Sequence, residues 1–142
     1  PARPNLTVAT LFAGKYAEAR WARENHAAYA RRHGYGFAQS TRRWSERRHP
    51  HWDKIPFVLE LFRGGADWVL WADADALFLE FDRSLDHLVA LGKDFVVSAR
   101  HNCSRHAGGG VNTGHFLARN TWWTRRFLKR AWRVYRERAP RE

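Results

Sequence analysis

The sequence predicts an α/β fold: a mostly parallel sheet flanked by helices, forming a single domain over residues 1–142. Two observations lead there. The first forty residues read strand, helix, strand, an order whose helical crossover favours parallel pairing. The most apolar stretch, "DWVLWADADALFLEF" at 67–81, then supplies a third strand behind a second helical segment. With 142 residues, 44% hydrophobic, including eight Trp and nine Phe, the chain can build a core and is not a disordered segment.

Taken in order, residues 5–14 form a buried strand ended by Gly14. Residues 15–34 form a helix. Ala17, Trp21, Asn25 and Ala28 share its inner face, the arginines face away, and Gly34 is the C-cap. A short strand at 35–40 and a basic loop at 41–51 precede a helix at 52–65. That helix has Asp53 as N-cap, Pro56 in its first turn and Gly64-Gly65 as its stop. After the apolar stretch come a short helix at 84–92, capped by Ser84 and stopped by Gly92, and a strand at 94–100. A flexible loop at 101–110 leads to a strand at 111–120. The last element, 121–138, is an amphipathic helix capped by Asn120 or Thr121, with Trp123, Phe127, Ala131 and Val134 facing inward.

A net charge of +11 suits polyanions: nucleic acid, an anionic membrane face or phosphorylated ligands. A solvated basic surface is the equal alternative. The lone cysteine, Cys103, excludes an internal disulfide and a cysteine zinc cluster. Asn5-Leu6-Thr7 and Asn102-Cys103-Ser104 match the glycosylation tripeptide. No run reaches the roughly 18–20 apolar residues of a membrane span. The chain begins at Pro1, contains no Met and ends in "RERAPRE", so both ends look cut and the lack of a targeting segment is not evidence of a cytosolic protein.

The chemistry concentrates at Asp73-Ala74-Asp75. If the strand continues through them, the two carboxylates lie about 6.5–7 Å apart on one face. At the carboxyl end of a strand in an open α/β sheet, that face opens on the ligand crevice. Two unpaired carboxylates are costly to bury. A hard cation, Mg²⁺ or Mn²⁺, offsets that cost and can in turn hold a diphosphate. Haloacid-dehalogenase-type phosphatases also carry Asp-x-Asp after a strand. They usually have Thr or Val where this chain has Leu77, and their motif opens the domain, whereas two strands precede it here.

Trp71, Asp73, Asp75, Ala76 and Leu77 resemble the Trp-x-Asp-x-Asp-Ala-Leu core of glycosyltransferase family 34. Residues 25–37, "NHAAYARRHGYGF", resemble its Asn…Tyr…His-Gly-Tyr segment, and 51–62 its Trp-x-Lys helix. Asp67-Trp68 resembles the acidic-Trp pair before the metal strand. Residues 110–123 resemble its Asn-x-Gly-x-Phe-x-x-Arg-Asn segment. The likeness spans roughly residues 6–135, five motifs in the family's order.

The resemblance implies a Rossmann-like GT-A fold and metal-dependent, retaining transfer of a hexosyl or pentosyl unit. The donor would be a UDP- or GDP-linked sugar and the acceptor a glycan. It implies Mn²⁺ (or Mg²⁺) ligated directly by Asp75, with Asp73 on the ribose or on the metal through water. Thr10 and Leu11 would meet the nucleotide. Lys54 would meet ribose or diphosphate, with a solvated helix lysine the equal alternative. Asn112, Thr113 and Gly114 would wall the transferred sugar, Asn112 and Gly114 beside the reacting centre. His33 is expected to be structural, and Trp44 and Trp52 to line a cleft. The family domain continues to a distal metal-binding His beyond a helix like 121–138, so this chain is expected to be the donor-binding part, truncated at its C-terminus. The resemblance places the parent protein in the Golgi lumen as a type II membrane protein, anchored by a segment outside this chain, with no nucleic-acid partner. A basic nucleic-acid-binding module and an inactive nucleotide-sugar-binding relic are the rival readings.

Overall fold

The computed structural model describes residues 4–12, 19–100 and 110–138. Strands β1 (Leu6–Leu11), β2 (Gly36–Ser40), β3 (Trp68–Ala72), β4 (Phe95–Arg100) and β5 (Gly110–Arg119) form one sheet in the order β2-β1-β3-β5-β4. β1 pairs in parallel with β2 and β3, while β5 is antiparallel to both β3 and β4. Four strands therefore share one direction and β5 opposes them, a mostly parallel sheet as expected. The helices are α1 (Ala19–His33), α2 (Lys54–Arg63, preceded by a 3-10 turn at Pro50–Asp53), α3 (Asp86–Val89) and α4 (Trp122–Arg138). Among the described residues, no helix is long and apolar enough to cross a membrane.

Every residue of β3 is buried, because both faces of the sheet are covered. Alternation sends Val69 and Trp71 to one side, where they meet Ile55, Phe57, Val58 and Phe62 of α2 and Leu128 of α4. It sends Trp68 and Leu70 to the other, against Tyr29 and Ala30 of α1.

Three expectations about helix faces and caps need correction. The inner face of α1 is Ala22, His26, Tyr29 and Ala30, and Trp21 is 61% exposed. Asn25 and Ala28 are half-buried, and Ala17 lies outside the described residues. Apolar spacing mislocates this face because its two large residues, His26 and Tyr29, are polar ones that hydrogen-bond inward. On α4 the buried residues are Thr124 and Leu128, with Ala131 and Trp132 packed alongside. Trp123 and Phe127 are 48% and 42% exposed, and they stack on each other at 5.2 Å. Asp53 does stand at the N-cap position of α2, but its side chain does not cap. It is fully buried and accepts from Arg43 Nε at 2.6 Å and from the Trp44 backbone N–H at 3.3 Å.

That pairing also changes the basic loop. Arg43 is spent on Asp53, and the Arg48 guanidinium lies 3.7 Å over the Trp132 ring and donates to the Trp132 carbonyl. Trp44 donates to Glu60 and, with Trp52, packs half-buried against the core on the α2 side. Gly34 and Gly92 end α1 and the α3 turn with φ of 68° and 63°, as stop glycines should. Thr121 caps α4 by accepting from the Thr124 N–H. The helix expected over 84–92 is the single turn Asp86–Val89 with Leu85, not Ser84, at its N-cap; Ser84, one residue earlier, accepts from the Asp86 N–H at 3.3 Å. Gly14 and the loop at 101–109, with His101, Asn102, Cys103 and His106, lie outside the described residues.

Candidate functional site

At the carboxyl end of β3, Trp71 and Asp73 share a face, being two residues apart on an extended chain. The Trp71 indole N–H donates to Asp73 Oδ1 at 2.6 Å. Lys54 Nζ donates to the same oxygen at 2.8 Å and to the Thr113 carbonyl at 3.0 Å. Its ammonium also stands 5.3 Å from the centroid of the Trp71 ring. A cation in the first turn of a helix opposes the helix dipole. Lys54 nevertheless sits there 7% exposed, because Asp73 and a carbonyl compensate it. It is not a solvated helix lysine.

The opposite wall comes from β5. Pairing with β4 slips from Val97↔Phe116 to Ser98↔Asn112, so Thr113, Gly114 and His115 bulge out of that ladder. Such bulges re-aim backbone groups. Here the Thr113 carbonyl turns to Lys54, and the Gly114 carbonyl accepts from the Asp73 N–H at 2.8 Å. Asn112 Oδ1 accepts from the Gly114 N–H at 2.9 Å. A Cβ on Gly114 would lie 3.0 Å from that oxygen and 3.2 Å from Asp73 Oδ2, so the bare backbone is what allows the close approach.

Asp75 departs from the expected geometry. β3 ends at Ala72, and the Ala76 N–H returns to the Asp73 carbonyl at 3.1 Å, closing a turn over 73–76. Strand alternation carries Asp73 into the site but does not place Asp75, which is exposed. The turn wins because residues 76–83 are held to α1 instead of continuing the strand. His26 Nε2 meets the Ala76 carbonyl at 2.8 Å, and Asn25 bonds both the N–H and the carbonyl of Phe78. His33 Nε2 meets the Phe81 carbonyl, which makes it structural as expected. His26 is fully buried, and that burial pulls its pKa down, partly offset by the hydrogen bond to Ala76.

Thr10 and Leu11 end β1 on the same edge of the sheet, just past the last β1–β3 pair, Ala9↔Trp71. Thr10 is fully buried and its hydroxyl finds no partner among the described residues; Leu11 is half-buried. The structure thus gathers Lys54, Asp73, Thr113 and Gly114 into one bonded cluster, with Asn112 and Asp75 at its border. Trp71, Asn25 and His26 were not singled out by sequence reasoning as site residues. Trp71 carried a signal, a tryptophan two residues before a carboxylate on one strand. Asn25 opens the segment 25–37 that resembles the family's Asn…Tyr…His-Gly-Tyr run, but nothing there pointed to its partner, and His26 carried no signal, because the partners of both are backbone groups.

Among the described residues no three His, Cys, Asp or Glu are gathered to hold a metal ion. The donors present still fit one kind of cation. Among the described residues, no protein donor engages Asp73 Oδ2 or either oxygen of Asp75. Two hard carboxylates suit a divalent ion that completes its shell with phosphate and water.

The profile of the galactosyl transferase GMA12/MNN10 family, glycosyltransferase family 34, matches residues 14–102. The chain belongs to this family. A probable glycosyltransferase 6 of Oryza sativa subsp. japonica is 35% identical over 118 residues, covering 77% of this chain and 23% of the relative. The probable alpha-1,6-mannosyltransferase MNN10 of Saccharomyces cerevisiae is 27% identical, over 77% of this chain and 35% of its own length. Galactomannan galactosyltransferase 1 of Cyamopsis tetragonoloba is 27% identical, over 74% and 25%. The family 34 chain described here thus spans about a quarter to a third of these curated relatives. The crystal structure of a glycosyltransferase involved in the glycosylation of the major capsid of PBCV-1 superposes with a TM-score of 0.77 at 18% identity. It covers 96% of this chain and 68% of that one, and the shared architecture is the GT-A-like α/β fold.

Proposed function

We propose that this family 34 chain binds the donor in a metal-dependent, retaining glycosyltransferase that moves a hexosyl or pentosyl unit from a nucleotide diphosphate sugar to a glycan. The observation that carries this reading is the Lys54–Asp73–Trp71 cluster at the carboxyl edge of β3, followed two residues on by the exposed carboxylate of Asp75. In family 34, the relatives include mannosyl- and galactosyltransferases by name, which supports a hexosyl donor.

In this reading Asp75 holds Mn²⁺ or Mg²⁺, with Asp73 Oδ2 as the second oxygen facing the ion or the ribose. The bound cation would neutralise the diphosphate as the sugar–oxygen bond breaks. Lys54 fixes the rotamer of Asp73 and adds positive charge behind the carboxylate pair. Trp71 fixes the same carboxylate from the strand, so Asp73 approaches the donor already oriented. Gly114 and Asn112 border the transferred sugar, where a side chain on residue 114 would crowd Asp73. Thr10 and Leu11 lie on the nucleotide side of the same edge, and the attack runs on the face the leaving group departs from.

Calorimetry with UDP- and GDP-linked sugars, with and without Mn²⁺, tests the reading. The wild-type chain is expected to bind one nucleotide sugar in a Mn²⁺-dependent way, and Asp75→Ala to weaken it at least about tenfold, the loss of roughly one charge-assisted contact. Equal binding by the two proteins rejects the metal site.

A further inference from the structure

Past Asp73, whose N–H still bonds the Gly114 carbonyl of β5, the carboxylate turn is not held by the sheet that carries it. Beyond Ala72 the chain leaves β3, and residues 76–80 form no regular element. One face of α1 takes over the ladder's role. His26 Nε2 bonds the Ala76 carbonyl at 2.8 Å. Asn25 donates to the Phe78 carbonyl at 3.0 Å and accepts from the Phe78 N–H at 2.8 Å, the two-bond pattern of a strand neighbour supplied by one amide side chain. Further along, His33 meets the Phe81 carbonyl at 2.8 Å and the Tyr29 hydroxyl donates to the Arg83 carbonyl at 2.6 Å. The Tyr29 ring lies flat on Phe78, centroids 3.7 Å apart and planes 2° from parallel.

We infer that Asn25 and His26 are positioning residues for Asp75: they fix the backbone just after it, at the Ala76 carbonyl and at Phe78, and so aim its exposed carboxylate. The inference rests on the donor-binding reading and extends it to a helix with no donor contact of its own. The chemistry of His26 fits the assignment. A carbonyl can only accept, so Nε2 carries the proton and Nδ1 is bare. Nδ1 is buried without a partner among the described residues. A buried orphan nitrogen is a cost that core packing alone does not require, since an apolar side chain would fill the space. Holding the Ala76 carbonyl is what offsets it. The turn therefore has two anchors, the Gly114 carbonyl on the Asp73 N–H and His26 on the Ala76 carbonyl, with Asp75 between them.

The test uses His26→Leu, His26→Gln and Asn25→Leu in the full 142-residue chain, with two readouts. The first is amide hydrogen exchange on the ligand-free protein. His26→Leu and Asn25→Leu are expected to speed exchange at Asp75–Phe78 by about tenfold, with β1 and β3 core amides at wild-type rates. Uniform acceleration, or none at Asp75–Phe78, overturns the inference. The second is UDP affinity with and without Mn²⁺. His26→Leu is expected to lose about tenfold of the Mn²⁺-dependent part while leaving metal-free affinity unchanged, and His26→Gln, which keeps a donor, to stay within about threefold. Equal losses with and without Mn²⁺ mean a structural role only and also overturn it. A wild-type chain that fails to bind UDP with Mn²⁺ refutes the donor-site reading, and the exchange readout then decides by itself whether α1 holds the turn. Should the leucine variants not fold, Asn25→Asp, which keeps the acceptor but not the donor, carries the same two readouts.

Discussion

Asp73 and Asp75 are the same residue type two positions apart, yet they do different work. Asp73 is anchored in the fold through Oδ1 and its backbone N–H, which leaves Oδ2 to face the site. It compensates a buried lysine, receives an indole N–H and donates its own N–H across to β5. Asp75 is exposed and engages no protein donor among the described residues. Asp73→Ala is therefore expected to destabilise the fold by about 2–4 kcal/mol, because it strands Lys54 without a counterion. Asp75→Ala should stay within about 0.5 kcal/mol of wild type, as most exposed substitutions do. Urea denaturation of the two variants checks this directly, and similar midpoints would contradict the division of roles. The role of Asp73 was half legible: alternation from Trp71 predicts its face, while its lysine partner lies 19 residues away.

At the level of elements, the helices show where periodicity reads well and where it slips. The existence and approximate span of each major helix follow from spacing, caps and stop glycines. The buried face of α4 does not, because its Trp123 and Phe127 pattern as core and end up at the rim, while Thr124 is the residue fully buried. Thr124 can be there because its hydroxyl is satisfied by Thr121 Oγ1 and the Asp94 carbonyl. Leu128→Ala is expected to cost about 2–5 kcal/mol, the range for truncating a buried leucine. Trp123→Ala should cost well under half as much, losing its stacking on Phe127 and part of its buried area. Thermal melts of the pair decide between the two faces. The basic loop makes a related point. "TRRWSERRH" looks solvated, but Arg43 and Arg48 are consumed by Asp53 and Trp132, which ties the loop to α2 and α4.

For the molecule as a whole, acid sensitivity follows from the burial of His26. Its folded pKa lies below the ordinary 6.5 because burial disfavours the charged ring. Above that value both states hold the neutral ring and the group is indifferent to pH. As pH falls below about 6.5 the unfolded chain takes up the proton first, so global stability drops until the folded pKa is passed. Tyr29 acts at the other end: burial raises it to about 12, so the unfolded chain ionises first above pH 10 and stability declines there. Denaturation midpoints from pH 5 to 8 are expected to rise with pH in the wild type and to flatten in His26→Gln. An unchanged slope in the variant would assign the acid sensitivity to other groups.

The sequence by itself determined the order of strands and helices, the double burial of β3 and the side of the sheet on which Asp73 lies. These are local properties, set by repeats of two and 3.6 residues that any window of the chain displays. The tertiary structure alone decided that β5 runs against its neighbours, that Lys54 serves Asp73, and that α1 rather than the sheet holds the turn behind Asp75. Each depends on groups 19 to 59 positions apart, and several of the partners are backbone atoms that every residue possesses. Such pairings leave no mark on residue type, so only the folded chain can reveal them.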